Sequence, residues 1–420
     1  MKFRDWDKNL KYRLYMEFTN GFLYWMFFPY MTRFFTSYYG ELATGILLLG
    51  LKTFEAVAVL MGGYLADRYG RKKMMQIASV LRILTFIFYM ICFFPLLPEL
   101  PLFAVFAYAT TGLFSAFYNS ASRAMVADLV APADRPAVFS TFYVIANITI
   151  VVGPLIGGVL FFEYPFFIML SAFIISIIMY LVITTQFHET VHHQVQKLLL
   201  KDVPGWFTTL HKQFAGYMTI YRDRIFGLFA VAWILLSITA SQFGSMLSIY
   251  ADSKISIFGF AVDKYSIIIA INGIMISLFG ILLQRLMIRL RFSNKTIFAI
   301  GAGAYSASML LFGVDSSMLF LALGMIVLTF GEIILVAPNS TFIVEIAPEN
   351  QRAQYLAAAD FPNTCARIIA PLFITFVGVI GFRLSFVILA IFSAIAAFIF
   401  WHMFHLYALR KAKLHLEKNI

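Results

Sequence analysis

Gly63-Tyr64-Leu65-Ala66-Asp67-Arg68-Tyr69-Gly70-Arg71-Lys72-Lys73 closes one apolar stretch and opens the next. A carboxylate and four cations crowd a short turn between two runs long enough to cross a bilayer. Glycine lacks the Cβ that holds helices apart and forbids tight reversals. Gly63 and Gly70 are therefore read as the positions that allow a close helix contact and a turn. The stretch reads as a clasp at a membrane edge. Asp67 ends one helix, where it can meet the positive end of a neighbour, and Arg68, Arg71 and Lys72 can reach the acid Asp128.

The rest of the chain fits a membrane setting. Hydrophobic residues make up 61% and charged residues 13%, against about 25% charged in soluble domains. The formal charge of +11 would suggest nucleic acid in a soluble protein. Here the cations flank apolar runs and set topology instead. Cys92 and Cys365 both fall inside apolar runs, which argues against a disulfide or a metal site. The basic opening residues lack a cleavage pattern, so the first span is expected to act as its own insertion signal.

At the roughly 20 residues needed to cross a bilayer, the apolar runs give twelve spans: 12–35, 43–66, 74–95, 102–128, 136–162, 165–187, 225–250, 263–288, 295–314, 317–344, 351–380 and 382–407. Threading them alternately leaves only Lys254, Lys264 and Arg383 on one side and nearly all other cations on the opposite side. By the positive-inside rule both termini are cytoplasmic. The expected class is an all-α membrane protein of two pseudo-symmetric six-helix bundles, 1–187 and 225–420. They are joined by a cytoplasmic linker, 188–224, with an amphipathic helix around Trp206 and Phe207. His188, His192, His193 and His211 lie in that linker. The first three have spacing that could hold a metal, but no carboxylate or cysteine completes a site, so no metal is expected.

A repeat supports the division. At one constant offset, Asp128, Arg135 and Pro154 return as Glu345, Arg352 and Pro371, and Gly63 and Arg68 as Gly280 and Arg285. Asp67 returns as Gln284, so the second clasp lacks its acid. Parallel six-helix repeats with a substrate site between them describe an alternating-access transporter. No nucleotide-binding loop is visible. A proton gradient is therefore the expected energy source, with no cofactor.

Charges inside spans are costly and usually face a cavity or a partner. Glu332 has no basic residue within a helical turn and is the first candidate for a protonatable substrate-site group. Asp128 and Asp67 at the clasp follow. Glu55, Glu17 and Asp360 come next, because Lys52, Arg82, Arg123 and Arg367 are available to pair with them. Tyr143, Asn147, Tyr118, Asn119 and Asn272 could add polar contacts to a substrate cavity, and the 47 phenylalanines an apolar wall. On the fifth span Gly153, Pro154, Gly157 and Gly158 combine a proline kink with close-packing glycines, which suits either coupling or plain helix packing.

The clasp resembles the loop 2–3 signature of the major facilitator superfamily, G-x-L-A-D-R-x-G-R-K. Gly153-Pro154-Leu155-Ile156-Gly157-Gly158 is similar to the helix 5 motif of its drug:proton antiporters, with Thr149 replacing an earlier glycine. Trp6-Asp7-Lys8-Asn9-Leu10, Thr44-Gly45-Ile46-Leu47-Leu48 and Gly331-Glu332-Ile333 extend the resemblance to that antiporter family. It implies a monomer in a bacterial-type cell membrane that exports lipophilic, often cationic compounds in exchange for protons. Asp67 and Asp128 would then be linked to gating, and Glu332 would lie in the substrate cavity. Phe142 and Gly244 stand where that family has further acids on helices 5 and 7, which weakens the case for a dicationic substrate. The alternative is a transporter dedicated to one metabolite, peptide or lipid. The expected partners are a small-molecule substrate, protons and lipid, with no nucleic acid and no enzymatic activity.

Overall fold

The computed structural model describes residues 3–131, 134–190, 208, 216–257, 260–348 and 351–418. Helix α1 runs from Lys8 to Tyr69, and its first turn is capped by Asp7, whose carboxylate accepts the Asn9 amide at 2.7 Å. A straight helix of these 62 residues would be about 90 Å long, three times the bilayer core. The backbone instead leaves helical geometry at Gly40 (φ 72, ψ 169), a conformation that glycine tolerates and residues with a Cβ do not. Gly70 (φ 96, ψ 155) then separates α1 from α2, Arg71–Cys92.

The first half continues with α3 (Pro101–Leu129), α4 (Arg135–Leu160) and α5 (Pro165–Gln186). Each has proline in its first turn, where the missing N–H costs nothing. The second half holds α6 (Arg224–Ser241), the short α7 (Met246–Tyr250), α8 (Lys264–Arg289), α9 (Asn294–Val314), α10 (Met318–Ile346), α11 (Arg352–Ile369) and α12 (Leu372–Lys418). Helix α12 breaks at Gly381 (φ 78, ψ 168). Among the described residues, ten helices are long and apolar enough to cross a membrane, with the bent α1 and α12 counted once each.

The all-helical expectation is corrected at residues 254–263. Strands β1 (Lys254–Ile257) and β2 (Phe260–Asp263) form a two-stranded sheet there. Their alternation of β-branched or aromatic residues with small and polar ones has a period of two, which suits a strand.

Contacts divide the chain into two compact units. The first is Met1–Tyr38, Leu47–Leu210 and Ile255–Ser266. The second is Tyr39–Ile46, His211–Lys254 and Ile267–Ile420. Segments 39–46 and 255–266 fall in the second and the first unit respectively. Each is held by a local contact: the Leu42 carbonyl accepts from Thr375 at 3.3 Å, and Asp263 binds Arg33 at 2.9 Å. Linker residues 191–207 and 209–215, with His192, His193, Trp206, Phe207 and His211, lie outside the described residues.

Within the first unit Met75, Ala78, Tyr118, Ala121 and Ile183 form a packed core. The second is dominated by aromatic contacts among Phe229, Phe298, Phe342, Phe400 and Phe404. The outer surface is also apolar: Ile281 is 68% and Phe398 66% exposed. Water would penalise such faces, whereas lipid accepts them.

Candidate functional site

The clasp closes around α2. Arg71 pairs with Asp67 one turn earlier and reaches Asp128 on α3, Nε to Oδ2 at 3.3 Å. Of the other two expected partners of Asp128, Lys72 turns to a different acceptor. Arg68 donates to the Tyr64 hydroxyl at 3.1 Å, and Lys72 Nζ donates to the Thr184 carbonyl at 2.8 Å. A residue that the sequence did not single out completes the arrangement. The Glu189 carboxylate accepts the Arg71 amide at 2.8 Å and the Lys72 amide at 3.0 Å. It thereby satisfies orphan N–H groups at the positive end of α2. Thr190 beside it donates to Asp128 at 3.0 Å.

The two signature glycines do different work. A Cβ on Gly70 would lie 2.5 Å from Glu189 Oε2, and the residue has φ +96. Gly63 faces nothing within 4 Å, so the close contact expected of it belongs to Gly62, where a Cβ would meet the Ala116 carbonyl at 2.8 Å. In the second unit Glu345, the counterpart of Asp128, accepts from Lys411 and Tyr407, both at 2.9 Å. With Gln284 in place of the acid, that acceptor is tied to α12.

Glu332 lies in a cavity of about 460 Å³ in the second unit, lined among others by Trp233, Tyr305, Asn339, Asn363 and Arg367. Glu332, Val336 and Asn339 share one face of α10, since helical neighbours recur at three and four residues. Glu332 is the one carboxylate among the lining residues, and no cation lies within ion-pair distance of it among the described residues. Its Oε2 accepts from Asn272 Nδ2 at 3.0 Å, and the same amide reaches Thr329 Oγ1 at 3.0 Å. Asn339 Oδ1 is buried without a hydrogen-bond partner among the described residues. Opposite, Asn363 Oδ1 accepts from Trp233 Nε1 at 2.9 Å and Ser237 at 2.8 Å. The cavity therefore presents one carboxylate, Glu332, and one guanidinium, Arg367, with Asn339 Oδ1 buried in its wall.

The other candidates are dispersed. Asp360 accepts from Asn363 at 3.1 Å, while Arg367 donates to Thr364 at 3.2 Å, so these two do not pair as the sequence allowed. Glu55 binds Lys52 at 2.7 Å, and Glu17 binds Arg13. Tyr143 and Glu17 line a second cavity of about 410 Å³, within the first unit, with Arg13, Arg123 and Phe139. Asn147 spends its amide on the Tyr143 carbonyl at 2.8 Å. Tyr118 is buried in the core, Oη 3.4 Å from Met16 Sδ, and Asn119 is exposed. His188 is fixed by Asn9, whose amide exchanges two hydrogen bonds with its backbone at 2.9 and 3.1 Å.

On α4, the expected fifth span, Gly153 and Gly157 pack against α1. A Cβ on Gly153 would meet Trp25 Cβ at 2.6 Å, and one on Gly157 would overlap the Met26 carbonyl. Pro154 presents its carbonyl to Tyr30 Oη at 2.8 Å, and Tyr30 also contacts Ser266 at 2.7 Å. A Cβ on Gly158 would run into Ser266. Beside them lies a pair absent from the sequence-based set of interior charges. Arg33 binds Asp263, with side chains 9% and 1% exposed, and the guanidinium lies 5.3 Å from the Phe162 ring centre. An arginine near the end of one apolar run and an aspartate at the start of another were the only signal.

Comparisons with known proteins agree with this architecture. The family profile of the Major Facilitator Superfamily matches residues 14–359 and 245–418. A Na(+), Li(+), K(+)/H(+) antiporter of Planococcus maritimus is 35% identical over 97% of this chain and 98% of its own length. An uncharacterised MFS-type transporter of Bacillus subtilis is 24% identical over 82% of this chain and 80% of its own. Among solved structures, a peptide transporter POT in complex with sulfate superposes with TM-score 0.77 at 16% identity, covering 96% of this chain and 95% of that one.

Proposed function

The chain belongs to the major facilitator superfamily, and from that premise we propose a multi-pass secondary transporter that exchanges protons for a monovalent cation. The observation that carries this reading is Glu332, a carboxylate without an ion-pair partner among the described residues that lines a cavity in the membrane-spanning part of the chain. A single carboxylate can hold a proton or a cation but not both at full strength. Competition at one site is the simplest origin of obligatory exchange. Ser237, Ser241 and Ser340 line the same cavity and supply hydroxyl oxygens, the hard ligands that suit alkali ions. The full-length similarity to a sodium, lithium and potassium/proton antiporter supports the same cargo.

The helix breaks at Gly40 and Gly381 fit twelve crossings, with α11 and the first turns of α12 forming the eleventh. The density of cations at the clasp fits cytoplasmic termini. A bacterial-type cell membrane is the corresponding location.

A second reading rests on size. About 460 Å³ falls in the range of pockets that hold drug-sized molecules, far more than a bare alkali ion occupies. Trp233 and Tyr305 could stack on a lipophilic cation, so export of amphipathic cations through the same carboxylate is the wider form of the proposal. Purified protein in acid-loaded liposomes tests both. Addition of sodium, lithium or potassium outside should raise internal pH, and addition of a lipophilic cation should do so under the wider reading. A neutral sugar should not. If no cation moves protons under either gradient polarity, both readings fail.

A further inference from the structure

Of the three buried arginines among the described residues, Arg13 and Arg33 hold carboxylates, and Arg82 on α2 does not. Arg82 is 5% exposed. Its neighbours are Met179 Sδ at 3.4 Å and the rings of Phe114 and Phe86, with centres at 5.0 and 5.9 Å. A thioether and two ring faces are weak compensation for a cation held out of water, which normally requires a counter-charge.

Beside it lies a cavity of about 30 Å³, lined by Asn20, Arg82, Thr85, Thr111 and Ser115 with aromatic rings around them. The space admits a small ion such as a halide beside the guanidinium. Thr85 and Thr111 donate their protons to the Leu81 and Ala107 carbonyls at 3.0 and 2.8 Å. Ser115 has no side-chain hydrogen bond among the described residues, so its O–H is available. Asn20 Oδ1 is buried with no hydrogen-bond partner among the described residues; with the amide turned over, Oδ1 takes up the side chain's contact with Tyr118 and Nδ2, a donor, faces the space.

We propose that Arg82, Ser115 and Asn20 form a binding site for a small monovalent anion, chloride or bromide, in the core of the first unit. The anion supplies the counter-charge that Arg82 lacks, in the way that carboxylates do for Arg13 and Arg33. The site is separate from the Glu332 cavity and does not depend on what that cavity carries.

The test is thermal unfolding of the purified protein in lipid nanodiscs, with sodium and ionic strength fixed and chloride replaced stepwise by gluconate. The midpoint should rise saturably with chloride, by on the order of 2 °C. Bromide should substitute for chloride, while sulfate and gluconate should not. Arg82→Met should abolish the dependence, and Ser115→Ala should shift it to higher chloride. Should Arg82→Met not fold, the Ser115→Ala shift and chloride NMR line broadening by the wild type, reversed by bromide, decide the matter. A wild-type midpoint indifferent to halides, or an Arg82→Met variant with the full response, overturns the site. Loss of the response in Glu17→Gln with Arg82→Met still responsive would assign the effect to the Arg13–Glu17 pair instead.

Discussion

Among the described residues Glu332 has one hydrogen-bond partner, Asn272, so removing its charge leaves no ion-paired cation stranded there. Glu332→Gln is therefore expected to keep the fold and the unfolding midpoint within a degree or two, while proton exchange falls at least a hundredfold. Size-exclusion profiles and liposome pH traces check the two halves of that statement. Asn272→Leu should retain exchange with an altered pH dependence, because it removes the hydrogen bond without removing the carboxylate. The glycines of the clasp divide in a way that their shared motif hides. Gly70→Ala should lose about 1–3 kcal/mol, since its backbone conformation is nearly restricted to glycine and its Cβ would meet Glu189. Gly63→Ala should change stability by less than about 0.5 kcal/mol, as thermal unfolding of the pair would show. Sequence alone made Glu332 legible, because an acid in an apolar run with no neighbouring base stands out locally. It could not reveal Glu189, which reaches the start of α2 from 118 residues away.

Elements in this chain are defined by their ends. Asp223 caps α6 through the Ile225 and Phe226 amides at 2.9 and 3.2 Å, and it receives Arg410 from α12 at 2.8 Å. Partial burial pushes its carboxyl up, but the Arg410 hydrogen bond and the two amides outweigh that and hold it below the usual range. A depressed folded-state value stabilises the protein above the unfolded carboxylate range, and the contribution is lost as pH falls through the lower folded value. Asp223→Asn should thus unfold earlier than wild type at neutral pH, and the two should converge in strong acid. The buried Arg33–Asp263 pair ties the end of β2 to α1. Arg33→Met alone strands the aspartate and should cost about 3–5 kcal/mol, while the Arg33→Met, Asp263→Leu double variant should recover much of that. The ten long apolar helices among the described residues were legible from hydropathy and length. The strands at 254–263 were not, because two four-residue strands bury too little to leave a hydropathy signal.

At the scale of the whole molecule the sequence repeats itself, but the repeats have diverged where control matters. The first unit has Asp67, Arg71, Asp128 and Glu189 around the start of α2, and the second has Gln284 and a Glu345 turned toward Lys411. Arg71→Met should therefore alter transport rates more than Arg285→Met, measured under identical gradients. The exchange reading itself rests on competition at Glu332, which predicts how cation affinity follows pH. The decisive measurement is the apparent affinity for sodium, or for a lipophilic cation, of the wild type and Glu332→Gln in liposomes across a series of pH values. In the acidic part of the series, where a proton occupies Glu332, wild-type affinity should weaken about tenfold for each pH unit, and Glu332→Gln should show no such slope. A wild-type affinity independent of pH, or a slope that survives in Glu332→Gln, would contradict the account.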